Sequence, residues 1–429
     1  MIQKTVLDFK LKKSEEKITA RSGLALLSEF LHAFKVPSIV NSNMPKTLSN
    51  RGFEAWDYVH TTLLTLYGGG ETLADTREIR DDEALQTICN IKNVPSESAM
   101  GDWLKRMGDR NGNSCVKTIN KQILHDILHR MNVKEIVLIN DPSLIKAEKR
   151  DAKMTYEGYK GYRPAMIIIQ ELGLIAHYEF RDGNDNGRKL DFFKEVFEVL
   201  PATVKVKLVL MDSEFYEGAI FSLLIEKKID FAIAVSKDTA VMETIGQINS
   251  SEWKQCKDKD DVGLDKEYAE TVHVMSTCPT AFRMIVLRWK DPKNPKAYCY
   301  HAIATNIDER CLAQEIIWIY NSRSCGENDI KELKNGFGMH KLPCGDFMAN
   351  ATYFGIGVLC HNLFVAQKIL TMPPEFHRKV IKTIRWLLVE VPGKVITTAS
   401  KTVVEVVAQV KKFEIFIHMR RKNYELSVT

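Results

Sequence analysis

Glu135 to Asp141 reads EIVLIND, and Val204 to Asp212 reads VKVKLVLMD. Each is a short, β-branched apolar run that stops at an aspartate. A run of that length bounded by a polar residue predicts a buried strand. Moving outward, Ala165 to Gln170 and Leu174 to Phe180 are two more strand candidates, around a turn at Glu171-Leu172-Gly173. Lys189 to Leu200 has helical periodicity and ends at Pro201; Gly218 to Lys227 is a second helix, and Asp230 to Val235 (DFAIAV) a further strand. The order β-β-β-α-β-α-β predicts a mixed sheet with helices packed on its faces. Residues at the carboxyl ends of neighbouring strands meet at one edge of such a sheet, so Asp141 and Asp212 are expected to converge. One aspartate after a strand is commonly a turn or cap residue. Two at paired strand ends carry more information.

A later stretch, Tyr320 to Lys334, reads YNSRSCGENDIKELK. As one helix, it places Tyr320, Arg323, Glu327, Lys331 and Lys334 within about 80° of arc. The stripe carries a phenol, a guanidinium, a carboxylate and two ammonium groups. Such a stripe also arises as a solvated face laced with i,i+4 pairs. The cations flanking Glu327 keep it ionised. An ionised carboxylate can hold a divalent metal, and the cations beside it can hold phosphates.

The rest of the chain bounds the reading. With 429 residues there is room for two or three domains. A net charge of +5 permits nucleic acid as a partner without arguing for it. Nine cysteines show no CxxC and no zinc spacing, as expected of reduced thiols in a cytosolic protein. The first 17 residues lack the apolar core of a signal peptide. Ala351 to Leu370 is apolar but broken by His361, Asn362, Gln367 and Lys368, which predicts a buried helix with no membrane role. Residues 1–130 read as helical: Gly23 to Phe34, Trp56 to Leu66, Glu83 to Ile88 and Met100 to Met107. Gly68-Gly69-Gly70 is a break between helices and not a phosphate loop, because no Gly-Lys-Ser/Thr follows. Between the sheet and the Tyr320 stretch lie three strand candidates, Glu267 to Met275, Phe282 to Trp289 and Ala297 to Thr305. Beyond it come a basic amphipathic stretch, 375–388, and basic clusters at Lys411-Lys412 and Arg420-Arg421-Lys422.

The strand order is that of an RNase H-like domain. The spacing of Tyr320, Arg323, Glu327 and Lys334 resembles the Tyr-Arg-Glu-Lys signature of bacterial insertion-sequence transposases with a DDE active site. Met211-Asp212-Ser213-Glu214-Phe215-Tyr216 resembles that family's Asp-x-x-Phe-Tyr pattern. The turn with Arg181, Gly183 and Asn184 fits as well, as does Asn362. At the first strand, Ile139-Asn140-Asp141-Pro142-Ser143 matches Asp-x-Asp-x-Thr only in part, with Ile139 in place of the first aspartate. The resemblance runs from about residue 20 to 390.

What the resemblance implies is specific. The fold is α/β (mixed α+β): an RNase H-like core interrupted by a β-rich insertion, with helical N-terminal and mostly helical C-terminal regions. The expected divisions are a DNA-binding region at 1–130, core at 131–236 and 307–345, insertion at 237–306, and a C-terminal region for DNA contact and dimerisation at 346–429. Asp141, Asp212 and Glu327 are the expected catalytic carboxylates and ligands of two Mg²⁺, for which Mn²⁺ substitutes. Tyr320, Arg323, Lys331 and Lys334 are expected to bind DNA. The reaction is strand cleavage at the element ends and 3′-OH transfer into target DNA, through a hairpin, with Trp253 and Trp289 as candidates to receive a flipped base. The partners are double-stranded DNA (terminal inverted repeats and target) and a second copy in a synaptic homodimer; the location is bacterial cytoplasm, at the nucleoid. Other readings of the same acidic trio are a different RNase H-like endonuclease or resolvase, or a catalytically silent DNA-binding relative.

Overall fold

The computed structural model describes residues 6, 11–46, 52–399 and 401–428. The N-terminal ten residues, except Val6, lie outside the described residues, and most of the stretch read as lacking a signal peptide's apolar core falls there. A nine-stranded sheet forms the centre. Its first five strands are β1 (Glu135–Pro142), β2 (Ala165–Ile169), β3 (Leu174–Glu179), β4 (Lys205–Met211) and β5 (Asp230–Ala234). They stand in the order β3-β2-β1-β4-β5. β2 is antiparallel to both β1 and β3, while β4 runs parallel to β1 and β5 parallel to β4. This is the RNase H-like arrangement that the order of elements predicts. The strands of its centre are apolar on both sides because both faces are covered: every residue of β2 is buried.

The β-rich segment supplies β6 (Lys254–Lys257), β7 (Gly263–Met275), β8 (Cys278–Asp291) and β9 (Asn294–Thr305). These strands do not form a separate sheet. β9 pairs antiparallel with β5, from Ile303↔Ala234 to Thr305↔Ala232, so the segment lengthens the same sheet.

Among the described residues, five helices of eight or more residues precede the sheet, α1 (Leu24–Ala33), α2 (Val36–Asn43), α3 (Ala55–Gly68), α4 (Glu97–Asp109) and α5 (Gly112–Arg130), with two short ones, Arg77–Arg80 and Glu83–Ile88, between the third and fourth. α6 (Lys189–Val199) and α7 (Gly218–Glu226) are the crossovers to β4 and β5. After the sheet come α8 (Ala313–Asn321), α9 (Cys325–Lys331), α10 (Phe347–Thr371) and α11 (Val410–Ser427). α10 is long and apolar enough to cross a membrane, yet here it is the core helix, buried at every residue from Ala349 to Gln367. It packs on α3, α4 and α5 on one side and on β3 on the other. Asn362, a buried amide of this apolar rod, spends both its groups on Ile175: Oδ1 accepts from the Ile175 N–H at 2.8 Å and Nδ2 donates to its carbonyl at 2.9 Å. A buried amide is tolerated because it satisfies the backbone of an edge strand. The hairpin Gly393–Thr397/Thr402–Val406, ahead of α11, pairs with Ile18–Thr19, so an N-terminal and a C-terminal segment meet in one small sheet.

Candidate functional site

The first aspartate lies inside a strand and not beyond it. β1 runs through Asp141, which pairs with Met166 of β2. The expectation that both aspartates follow their strands therefore holds for Asp212 alone, which caps the turn Ser213–Phe215 after β4. The reason is that antiparallel pairing to β2 carries β1 on to Pro142 after its parallel pairing to β4 has ended. The parallel register Ile139↔Leu210 still puts Asp141 and Asp212 at matching positions, each two residues further on. Asp212 Oδ1 accepts from the Ser213 N–H at 2.5 Å and from Ser213 Oγ at 3.2 Å.

Asp212 is braced from behind. Glu214, two residues on, accepts from Arg163 Nη2 at 2.5 Å and lies 3.8 Å from Arg181 Nη1. Arg181 also pairs with Glu179, and Arg163 Nη1 donates to Asn186 at 2.8 Å. The Arg181 side chain is 2 % exposed. Arg181, of the Arg-Gly-Asn turn singled out in the sequence, is thus part of a buried ionic scaffold beneath the second carboxylate.

The Tyr320–Lys334 stretch is helical but not one regular helix, so the single stripe does not form. α8 ends at Asn321, a 3₁₀ turn covers Ser322–Ser324, α9 follows, and Glu332–Gly336 widen into a π turn. The break has a cause. Gln170, at the end of β2, donates from Nε2 to Ser322 Oγ at 2.8 Å and to the Ser322 carbonyl at 3.2 Å, competing with the regular ladder. α9 then lies flat on the sheet at Gly326, where an added Cβ would stand 3.0 Å from Ile139 Cγ2 and 3.4 Å from Ile168 Cδ1. Ile139 and Asp141 share a face of β1. The helix carrying Glu327 is therefore seated over the strand carrying Asp141.

Three of the expected groups converge here. Arg323 Nη1 donates to Asp141 Oδ1 at 3.1 Å, and Nη2 lies 3.8 Å from Glu327 Oε1. Tyr320 is buried, with the Arg323 guanidinium 5.9 Å from its ring centre. Lys334 is half-buried and donates to the Leu144 carbonyl at 2.7 Å, tying the π turn to the loop just past Asp141. Lys331 is exposed. Burial pushes the Asp141 carboxyl up to about 6; Arg323 opposes this, while Glu327 and Asp212 reinforce it. Asp141 thus feels both of the other carboxylates. Among the described residues, no group of three His, Cys, Asp or Glu is close enough to ligate an ion as it stands.

One neighbour carries no signal in the sequence. His301, on β9, has its ring 5.5 Å from that of Tyr320. Burial holds it below the usual histidine range, helped by Lys237, Arg323 and Lys266 and opposed by Asp212. It reaches the site only because β9 joins the core sheet. His301 lines a cleft of about 410 Å³ with Trp289, Trp318, Lys257, Lys266 and Asn321. Trp253 is elsewhere occupied, with the Arg288 guanidinium 3.9 Å from its ring centre.

The family model described as transposase DDE domain, group 1, matches residues 6–425. No curated protein matches the chain. Among solved structures, the chain is similar to the piggyBac transposase in the cryo-EM structure of its synaptic complex with hairpin DNA. The two share 10% identity at a TM-score of 0.48, over 97% of this chain and 84% of that one.

Proposed function

The chain belongs to the group 1 family of transposase DDE domains, and from that premise we propose that Asp141, Asp212 and Glu327 are its catalytic carboxylates. The observation that carries this reading is their arrangement. Two aspartates take matching positions at the ends of parallel strands, Asp141 near the end of β1 and Asp212 just past β4, and the glutamate sits on the helix seated over β1.

Three carboxylates are a hard-oxygen donor set suited to Mg²⁺ or Mn²⁺. The fit is supported by Asp141, whose buried carboxylate is compensated here by a side-chain cation, Arg323. Two divalent ions held by Asp141, Asp212 and Glu327 would supply an activated water or 3′-hydroxyl and charge neutralisation at the leaving oxygen. The chain's own groups do the rest. Arg323 is shared between Asp141 and Glu327, and exchanges them for a DNA phosphate, which offers its guanidinium the same paired oxygens. Tyr320 backs that guanidinium through its ring and offers its hydroxyl at the same edge. Lys334 holds the loop beyond Asp141, and Lys331 adds phosphate contact from the exposed turn. Cleavage at the element ends yields a 3′-OH that the same carboxylates direct first at the opposite strand, closing a hairpin, and later at target DNA. The Trp289 cleft receives the base that leaves the stack when the hairpin forms. Two ends must be cut together, which calls for a second copy of the chain in the complex.

The decisive experiment is cleavage of linear DNA carrying the element's own ends, with Mg²⁺. Wild type is expected to nick at the ends and join the freed 3′-OH to target. Asp212→Ala and Glu327→Ala are expected to bind but not cut. Variants that cut like wild type would remove the assignment; cleavage without strand transfer would favour an endonuclease or resolvase.

A further inference from the structure

Between Asp141 and β2 the chain does not turn back directly. It builds a small three-stranded sheet from Ile145–Lys146, Lys153–Met154 and Lys160–Tyr162, with the last strand in the middle. No pattern in the sequence announced it. Its tip is a tight turn: the Gly158 N–H donates to the Thr155 carbonyl at 3.1 Å, with Gly158 at φ +83°, and the Thr155 N–H donates to the Tyr159 carbonyl at 2.8 Å. The root is clamped, because an added Cβ at Gly183 would stand 2.8 Å from both the Gly161 and the Lys153 carbonyl oxygens. The tip is thus a stiff projection and not a loose loop.

One contact and one electrostatic influence locate the tip. On one side the Arg163 guanidinium lies 5.4 Å from the Tyr156 ring centre, and Arg163 is the partner of Glu214, two residues past Asp212. On the other side burial lowers the pKa of the Lys334 ammonium, and the nearby Glu157 carboxylate at the tip partly opposes that shift. Tyr156 therefore stands at the rim between the second carboxylate and the end of the Glu327-bearing helix segment. It is 73 % exposed, and Met154 beside it is 52 % exposed. From Ile145 to Arg163 the projection carries six Lys or Arg against three Asp or Glu.

A buried tyrosine there would be packing. An exposed one, backed on one face by a guanidinium that an ionic scaffold holds in place, leaves its other face as a preformed platform. Every nucleobase has a π face to lay on such a platform, and the surrounding cations suit the backbone beside it. We infer that Tyr156 stacks on an unpaired base of the DNA strand held at the carboxylates, and that the 145–163 projection is a positioning element for that strand. The inference rests on the proposed cleavage site at Asp141, Asp212 and Glu327. It places an aromatic contact on the core, on a different element from the Trp289 cleft.

The test compares single-turnover cleavage of two duplexes carrying the element's end, one fully paired and one with the base pairs at the cut mismatched. Wild type, Tyr156→Ala, Tyr156→Phe and Asp212→Ala are measured on both, with thermal melting of each protein. Tyr156→Ala is expected to slow the paired duplex by roughly tenfold to a hundredfold, and the mismatched one by much less. Tyr156→Phe is expected to match wild type, and melting to stay unchanged. Equal rates for wild type and Tyr156→Ala on the paired duplex would overturn the inference, as would a Phe variant as slow as Ala. The two readings fail differently: if Asp212→Ala cuts like wild type, the carboxylate site is wrong; if it is dead and Tyr156→Ala is normal, only the platform is.

Discussion

Arg323 and Asp141, 182 residues apart in the chain, are joined by a hydrogen bond of 3.1 Å between two largely buried side chains. The same guanidinium lies 3.8 Å from Glu327, so one cation serves two of the three carboxylates. That sharing sets the electrostatics of the site.

Because Arg323 opposes the upward shift of Asp141, Arg323→Ala should raise that carboxyl above about 6. Cleavage that needs ionised Asp141 should then begin at higher pH than in wild type, and fall roughly a hundredfold at neutral pH from lost phosphate contact. A pH profile of single-turnover cleavage checks both. An unchanged profile would detach Arg323 from the site.

The folded-state pKa of Asp141 lies above that of the unfolded chain, so the native state holds the proton more tightly. Stability from this group is present below about pH 4 and is lost as pH rises from there towards about 6. Removing the charge should therefore help at neutral pH. Asp141→Asn is expected to abolish cleavage and to raise unfolding stability by about 1–3 kcal/mol. Urea titration at pH 5 and at pH 8 measures it, and the gain should be larger at pH 8.

Gly326→Ala should push α9 off the sheet by a few tenths of an ångström at Ile139. The expected cost is about 1–2 kcal/mol of stability, with a clear loss of cleavage because Glu327 moves with the helix. DNA binding should be unaffected in a gel-shift assay. Normal cleavage would show that the site does not depend on this seating.

Glu214→Gln leaves Arg163 and Arg181 without their shared carboxylate, and the Glu214 side chain is only 11 % exposed. Breaking one partner of such a buried network should destabilise the protein by about 3–5 kcal/mol. Chemical unfolding gives the number. A change below about 1 kcal/mol would mean that the arginines find other acceptors.

The two tryptophans should separate. With 2-aminopurine at the element end, Trp289→Ala should remove the fluorescence change on hairpin formation, and Trp253→Ala should leave it intact. Trp253 carries the Arg288 guanidinium 3.9 Å from its ring centre, whereas Trp289, with the Lys266 ammonium at the longer distance of 5.1 Å, lines the open cleft. A signal that survives Trp289→Ala would empty that cleft of its proposed role.

The core was legible where one local pattern sufficed. β1 to β5 and the crossover helices show as runs of β-branched residues and helical periodicity, and their observed limits fall within one or two residues of those read. α5 was missed although its buried Val116, Ile119, Ile123 and Ile127 recur at helical spacing, because Asn113, Lys117, Asn120 and Lys121 thin the pattern. The 145–163 projection has strands of two or three residues, too short for any periodicity to register.

By itself the sequence determined which residue types stand at which strand end and helix turn, and so which chemistry is available: Asp141, Asp212, Glu327, Tyr320 and Arg323 were all named from it. Strand order follows from local runs because buried strands must be apolar wherever they lie. Only the tertiary structure decided how those groups meet. It broke the Tyr320–Lys334 helix at Ser322, turned Arg323 onto Asp141, left Lys331 outside and brought His301 and Tyr156 to the rim. The physical reason is that these outcomes depend on partners far away in the chain. Gln170 competes for the Ser322 carbonyl, β9 docks on β5, and Arg163 is held by Glu214. No window of neighbouring residues contains both halves of any of those contacts.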